Sequence, residues 1–206
     1  MRESNAARQE GFQIVEVLVS MIIVAIGIVG IAKLQHVATS SNTQAVQRTT
    51  ASNLTENLIE RIRANVSAID SYFPDDTTVV ITSSLATPQV QCINETNCTP
   101  SELALYDLWE WQRTVSGVEE RDSDGNNIGG LINPVLCMTR PAGGGDGIYS
   151  FAIAWHSQSG QQFQAISANS VASSCGTEAS LNSFDGVGGN NNVHRRVHWQ
   201  QVFIDV

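Results

Sequence analysis

The sequence predicts an α+β protein in which one long N-terminal helix packs against an antiparallel β-sheet. Near its start, an apolar run is long enough to cross a membrane. After that run, apolar residues recur every three or four positions, which indicates that the helix continues with one amphipathic face. After Gly117 the chain changes to short alternating segments separated by glycine-rich turns, which is typical of strands. A sheet of this kind needs the amphipathic half of the helix to cover one of its faces.

The membrane-spanning half of the helix is predicted from Phe12 to about Ala32, where Lys33 closes the apolar run. Its length is near the roughly 20 residues that a bilayer requires. The run is too long for the apolar part of a secretory signal, and no small-residue cleavage site follows it. We therefore expect residues 12–33 to be a membrane anchor.

The amphipathic half of the helix is predicted over residues 34–70. We expect it to run without a break to Ile69 or Asp70, because no proline or glycine occurs before Pro74. Charged residues fall on its other faces, at Glu56, Glu60, Arg61 and Arg63. The apolar stripe that should pack on the globular domain (residues 71–206) consists of Leu54, Leu58, Ile62, Val66 and Ile69.

A second helix is predicted to start at Pro100-Ser101. Ser101 fits an N-cap and Glu102 lies in the first turn, where a carboxylate is favoured. The apolar residues of this helix share one face, so the tryptophans are interpreted as packing residues and not as a ligand platform. That face comprises Ala104, Leu108, Trp111 and Val115, and Trp109 lies at its rim.

Strands are predicted at 79–82, 131–140, 148–156 and 197–206. In the third strand, large apolar residues alternate with small or polar ones. Pro134 indicates an edge or a bulge in the second. The glycine-rich segment 143–147 is predicted to be a hairpin turn, and segment 186–192 a flexible loop. The large apolar residues that should share one face of the third strand are Tyr149, Phe151, Ile153 and Trp155.

The charge balance argues against a nucleic-acid partner. The chain of 206 residues has a formal net charge of -9. Broad DNA affinity comes mainly from lysine and arginine that neutralise phosphates. The pair Arg195-Arg196 is too small to reverse this, so we expect no nucleic-acid binding.

The four cysteines predict disulfides. Cys92, Cys98, Cys137 and Cys175 all lie beyond the predicted anchor, and no CxxC pair occurs. An even number in a domain outside the cytosol is typical of a disulfide framework. Three pairings are possible. Nearness in sequence favours Cys92 with Cys98, and Cys137 with Cys175 then follows by elimination.

No motif for catalysis or metal binding is complete. Residues 122–126 (Asp-Ser-Asp-Gly-Asn) begin like a calcium loop, but the sixth and twelfth positions are Asn127 and Asn133, so the segment is interpreted as a turn. His194 and His198 are four apart, yet two histidines alone do not make a metal site. The sequence has no GxSxG, HExxH or phosphate loop. We therefore expect no cofactor, no metal and no enzymatic activity.

The start of the apolar run carries the most specific motif, Gly11-Phe12-Gln13-Ile14-Val15-Glu16. A charged side chain in a membrane segment is costly, which calls for a partner to Glu16. The motif resembles the processing site of type IV prepilins. That resemblance implies that residues 1–11 are a leader, that a prepilin peptidase cuts between Gly11 and Phe12, and that the new N-terminal phenylalanine is N-methylated. It also implies a pilin-like fold and a docking role for Glu16, which would neutralise the α-ammonium of an adjacent subunit.

A second resemblance narrows the first. The segment from Cys98 through Trp111, the cysteines at 137 and 175, the strand from Tyr149 to Trp155 and the pair Arg195-Arg196 resemble the PilV-type minor pilins, the type IV pilus modification proteins. This implies a structural subunit that helps to initiate pilus assembly and sits at the filament tip, supporting twitching motility and adhesion. The implied partners are other minor pilins, the major pilin, the prepilin peptidase and the inner-membrane assembly platform.

The resemblance also implies a location: the inner membrane with a periplasmic domain before assembly, and the pilus on the cell surface afterwards. Two alternatives stay open on the sequence. One is a minor pseudopilin of a type II secretion system, and the other is a membrane-anchored periplasmic binding domain or enzyme.

Overall fold

The structure is a computed structural model that describes residues 14–74, 77–81, 85–93, 97–118, 120–125, 127, 129–157, 171–176 and 194–206. The chain divides into two compact units, Met1–Asn42 and Thr43–Val206. Its helices are α1 (Ile14–Ala64), α2 (Ile69–Tyr72), α3 (Pro100–Val115) and α4 (Val171–Ser174), with a 3₁₀ turn at Val66–Ala68. Its strands are β1 (Thr78–Ile81), β2 (Val135–Thr139), β3 (Gly147–His156) and β4 (Arg195–Ile204).

The long N-terminal helix is confirmed, but its predicted end is wrong. α1 ends at Ala64 and does not continue to Ile69. Asn65 leaves helical geometry, with φ −128° and ψ 39°. Its side-chain amide donates a hydrogen bond to the carbonyl of Pro100 at 2.8 Å, which ties the interruption to the start of α3. Asparagine competes with helical backbone in this way through its own side chain.

The second helix is also confirmed, but its cap is Thr99 and not Ser101. The hydroxyl of Thr99 accepts from the backbone N–H of Glu102 at 3.3 Å. In return, the Glu102 carboxylate accepts from the backbone N–H of Thr99 at 2.8 Å. Together these bonds form a capping box with Pro100 at the first helical position, where the missing N–H has no cost. Ser101 is therefore inside the helix.

The strands form one antiparallel sheet in the order β1-β2-β3-β4. The structure confirms the α+β arrangement. Relative to the sequence prediction, the second strand is shorter, because only Val135–Thr139 after Pro134 join the ladder, and the last begins two residues earlier, at Arg195. The predicted glycine turn joins β2 to β3, where Gly144 N–H donates to the Pro141 carbonyl at 3.0 Å. Residue Thr82 and the segment 186–192 lie outside the described residues.

Two apolar clusters cover the two faces of the sheet. On the face toward α1, the alternating residues Tyr149, Phe151, Ile153 and Trp155 are buried with Leu58 and Ile62 of α1 and Trp111 of α3. On the opposite face, the small residues Ala152 and Ala154 pack with Val135, Cys137 and Cys175. The alternation predicted for β3 is thus observed, and both of its faces are buried from Tyr149 to Trp155.

Two disulfides join Cys92 to Cys98 and Cys137 to Cys175, the same pairs that the sequence analysis favoured. The second bond connects β2 to the residue after α4, so it holds α4 over the small residues of the sheet. Its partners are 38 positions apart in the chain, and the closure of a loop of this length stabilises the folded state mainly by restricting the unfolded chain.

Candidate functional site

The N-terminal part of α1 is an apolar surface with no cover in the described residues. Within α1 (Ile14–Ala64), an 18-residue window has a mean hydropathy of 2.8, and none of it is buried. Ile14 is 79% exposed and Ile26 is 69% exposed. A monomeric soluble protein rarely exposes a continuous apolar surface of this size. By length and composition this segment can cross a membrane.

Glu16 lies in the first turn of α1. Ser20 donates its hydroxyl to the backbone carbonyl of Glu16 at 2.7 Å and does not reach the carboxylate. In the described part of the chain, the Glu16 carboxylate takes part in no ion pair or side-chain hydrogen bond. The first turn of a helix favours a negative charge, but a membrane interior does not. Gly11 and Phe12, the predicted processing site, lie outside the described residues.

A partly buried polar cluster joins the C-terminal part of α1 to α3. Arg61 donates from one nitrogen, Nη1, to Asp107 Oδ1 at 2.9 Å and to Glu110 Oε2 at 2.6 Å. The other Asp107 oxygen accepts from the hydroxyl of Tyr72 at 2.6 Å. We call Arg61, Asp107, Glu110 and Tyr72 the α1–α3 latch. Asp107 is buried, and each of its two carboxylate oxygens accepts a hydrogen bond from one of these donors.

Burial and hydrogen bonding shift the pKa values within the latch. Burial raises the pKa of the Tyr72 hydroxyl, and the hydrogen bond to Asp107 raises it further. For Arg61, burial lowers the pKa, but the hydrogen bonds to Glu110 and Asp107 outweigh it, so the net pKa is raised. Arg61 is therefore charged and Tyr72 neutral at every pH in which cells live.

Sequence reasoning missed the latch. Arg61 was predicted only to lie off the apolar stripe, like its neighbour Arg63. In the structure, Arg61 pairs with carboxylates of α3. Arg63 instead makes an exposed pair with Glu60 on its own helix. No local pattern distinguishes the two arginines. The remaining signal was Asp107 itself, a carboxylate next to Leu108 and one turn before Trp111 on a predicted buried face.

A second contact ties α2 to the hairpin between β2 and β3. Arg140 Nη1 pairs with Asp70 Oδ1, and the Arg140 guanidinium lies 5.9 Å from the centre of the Phe73 ring. Phe73 in turn packs edge-on against Tyr149 of β3, with ring centres 5.4 Å apart. The segment after the α1 break is therefore held to the sheet at two points.

The two histidines considered as metal ligands do not converge. His198 is in β4 opposite Ile153, whereas His194 precedes the strand and stacks on His156 with ring centres 5.2 Å apart. Four residues of extended chain separate them by about 13 Å, too far to share one ion. In the described residues, no group of three His, Cys, Asp or Glu side chains is placed to hold a metal.

The predicted turn after residue 121 is present in its described part. Asp122 Oδ1 accepts from the N–H of Asp124 at 3.0 Å, and the Gly125 N–H donates to the Asp122 carbonyl at 3.1 Å. Both bonds are internal to a plain turn. Asn126 lies outside the described residues.

A family model matches residues 33–109. It is the model of the Tt1218-like family, described as type IV pilin Tt1218. The matched segment begins at the end of the apolar run and includes the rest of α1, α2, β1 and the first part of α3. It spans less than half of the chain. The match supports a relationship to the type IV pilins and a structural role. No curated protein and no solved structure matches the chain.

Proposed function

We propose that the protein is a minor pilin of the PilV type, a structural subunit that helps to initiate type IV pilus assembly. One observation carries the proposal: residues 33–109 match a type IV pilin model, and an exposed apolar half-helix precedes them, whose Glu16 carboxylate has no ion-pair partner among the described residues. A pilin subunit needs both features, one to enter the membrane and the filament core and the other to register against its neighbour.

The proposed role of Glu16 follows from the cost of an isolated charge. Cleavage after Gly11 leaves an α-ammonium at Phe12, close to an apolar environment. A charge there is tolerable only with a partner of opposite sign. The Glu16 carboxylate of one subunit supplies that partner to the Phe12 ammonium of the next. Glu16 therefore sets the axial register between subunits and has no catalytic role.

The globular part of the proposed subunit is suited to an oxidising compartment. Both of its disulfides lie beyond the anchor, and disulfides persist outside the cytosol. The domain is proposed to face the periplasm before assembly and the outside of the cell afterwards. It is proposed to lie at the filament tip among other minor pilins, where it supports adhesion and twitching motility.

The test is deletion of the gene, followed by complementation with the full chain. The proposal predicts fewer surface pili and reduced twitching, with both restored by the wild-type chain. Loss of exoprotein secretion with normal piliation would instead identify a type II pseudopilin. Normal piliation, twitching and secretion in the deletion strain would overturn the filament role.

A further inference from the structure

From Val197 to Phe203, one edge of strand β4 has no strand partner among the described residues. One side of β4 pairs with β3 along all ten residues, and no described strand pairs with its other side. The opposite edge strand, β1, has only four residues. Proteins usually protect an edge strand by shortening it, by a bulge, or by lysine and proline. The register of β4 against β3 is continuous, and β4 contains neither lysine nor proline. Its two arginines, Arg195 and Arg196, are at its start, so the stretch from Val197 to Phe203 has no charged residue other than a histidine.

The hydrogen-bond pattern identifies which backbone groups point away from the sheet. Ser157 N–H donates to the His194 carbonyl at 2.7 Å, one pair beyond the last β3–β4 pair. In an antiparallel ladder, directly opposite residues that share hydrogen bonds alternate with pairs that do not. His194 therefore faces β3, as do the even-numbered residues of β4. Val206, another even-numbered residue, likewise directs its backbone N–H to the β3 side, where it donates to Asp146 Oδ1 at 2.8 Å.

The odd-numbered residues consequently direct their N–H and C=O groups to the free edge. The side chains of these odd-numbered residues lie on the sheet face opposite α1. Val197 shows this, because it packs with Ala154 and Cys175, which belong to the cluster on that face. Trp199 is 41% exposed and Phe203 is 62% exposed. Ile148, which lies opposite Phe203 in β3, is also exposed. The edge thus combines free backbone groups with exposed large apolar side chains at alternate positions.

We propose that this edge of β4 binds an extended segment of a neighbouring filament subunit, which adds a strand to the sheet. The inference rests on the proposed function, because it needs a neighbour in the filament. The occupant must be extended, since a row of alternating donors and acceptors is matched only by another strand and not by a helix, whose backbone groups bond internally. The segment carries apolar side chains at every second position, which pack against Trp199 and Phe203 across the strands.

The neutral character of the edge narrows the chemistry of the occupant further. From Val197 to Phe203 the odd-numbered residues are Val, Trp, Gln and Phe, with no charge among them. The cross-strand positions of the occupant are therefore apolar or uncharged, because a charge there would be desolvated without a partner. Cross-strand aromatic and β-branched pairs are the contacts that stabilise such an addition.

The test is amide-resolved hydrogen exchange on the wild-type full chain, measured in membranes and in sheared filaments. In membranes, the amides of Trp199, Gln201 and Phe203 are expected to exchange fast, and those of His198, Gln200 and Val202 slowly. In filaments, the odd-numbered amides are expected to lose their fast exchange. Fast exchange of these amides in filaments would overturn the inference. Slow exchange in membranes would overturn it too, since the chain itself would then cover the edge.

A proline variant provides the second test. Gln201→Pro removes one N–H that points to the free edge and leaves the ladder with β3 intact, a position where proline is tolerated. Gln201→Ala keeps that N–H and is the matched control, because both variants lose the side-chain hydrogen bond to Ser150. We expect the proline variant alone to be depleted from filaments. Equal incorporation of both would contradict the inference, whereas absence of the wild-type chain from filaments would contradict the proposed function itself.

Discussion

Arg61 of α1 and Asp107 of α3 are 46 positions apart in the sequence and are joined by a 2.9 Å hydrogen-bonded ion pair. The second oxygen of the same carboxylate holds the hydroxyl of Tyr72. One buried carboxylate therefore connects three helical segments, and the break in α1 at Asn65 brings Tyr72 within its reach. The register of α1 against the globular domain depends on this carboxylate as well as on apolar packing.

Asp107→Asn is expected to destabilise the protein, because the amide keeps only one acceptor oxygen for Arg61 and Tyr72, and its NH2 group replaces the other. Arg61 then has Glu110 as its one remaining ion-pair partner among the described residues. Removing a charged hydrogen-bond acceptor from a partly buried site of this kind costs about 2 kcal/mol. Arg63→Ala is the matched control, since the Arg63–Glu60 pair is exposed and contributes less than about 1 kcal/mol. Denaturant unfolding of the full chain gives both values. Equal effects of the two substitutions would show that the latch does not contribute to stability.

Thr99→Ala is expected to lower the free energy of unfolding by about 1 kcal/mol, the usual effect of losing an N-cap. Ser101→Ala, two residues away, is expected to change it by less than about 0.5 kcal/mol, because a residue inside an exposed first turn has little effect. The comparison distinguishes the capping box at Thr99 from the cap first predicted at Ser101. A larger loss for Ser101→Ala would reverse the assignment.

His198 makes the stability depend on pH. Burial lowers its pKa, Arg48 lowers it further, and Glu56 opposes the change. Because the folded-state pKa lies below the unfolded value near 6.5, the unfolded chain binds more protons as the solution becomes acidic. The contribution of His198 is therefore complete above about pH 6.5 and decreases as the pH falls through the folded-state pKa.

His198→Gln is expected to flatten this acid dependence, which thermal unfolding measured from pH 7.5 down to pH 5 would detect. Gln201→Ala, a change in the same strand that removes no titratable group, is the control and is expected to keep the wild-type slope. An unchanged slope in His198→Gln would show that another group controls the acid sensitivity.

Gly11→Asp is expected to block processing, since the proposed cleavage follows this glycine. The variant should insert in the membrane through residues 12–33 and keep its leader. Immunoblots of membranes would show one band, larger than the wild-type protein by the mass of residues 1–11. A band of mature size would place the cleavage elsewhere.

Glu16→Ala is expected to be processed and inserted normally but to be depleted from filaments, because in the proposed docking the Phe12 ammonium of a neighbour would lose its partner. Ser20→Ala lies one turn away and removes only a bond to the Glu16 backbone carbonyl, so it should assemble like the wild-type chain. The ratio of filament to membrane protein measures the effect. Full incorporation of the Glu16→Ala variant into filaments would contradict the proposed docking role of Glu16.

The parts of the fold that sequence predicted were those determined by local spacing. The apolar stripe of α1 and the alternation from Tyr149 to Trp155 each have the period of their element, so helix and strand could be assigned from the residues alone. The cap at Thr99 could also have been predicted from the sequence, because Thr99 and Glu102 have the spacing of a capping box. Ser101 fits an N-cap by residue type, but the residue three positions later is Ala104, which cannot complete a capping box.

Other features depend on residues far apart in the chain. The break at Asn65 forms because its side chain bonds to Pro100, 35 positions later, and the role of Arg61 depends on Asp107. No spacing within a single helix encodes either contact. The free edge of β4 likewise follows from the order of the strands, which the pattern of each strand does not reveal. For the candidate site, the sequence supplied Glu16 and its motif, and the structure added that its carboxylate has no partner in the described part of the chain.

The most direct test of the proposed function is mass spectrometry of the N-terminal peptide from sheared surface filaments and from membranes. We predict a peptide that begins with N-methylated Phe12 in the filament fraction, which would establish both processing and assembly into an external pilus. Methylated Phe12 in membranes alone would indicate a periplasmic pseudopilus or a priming role without export. An intact Met1 terminus in every fraction would contradict the pilin assignment and leave a membrane-anchored domain.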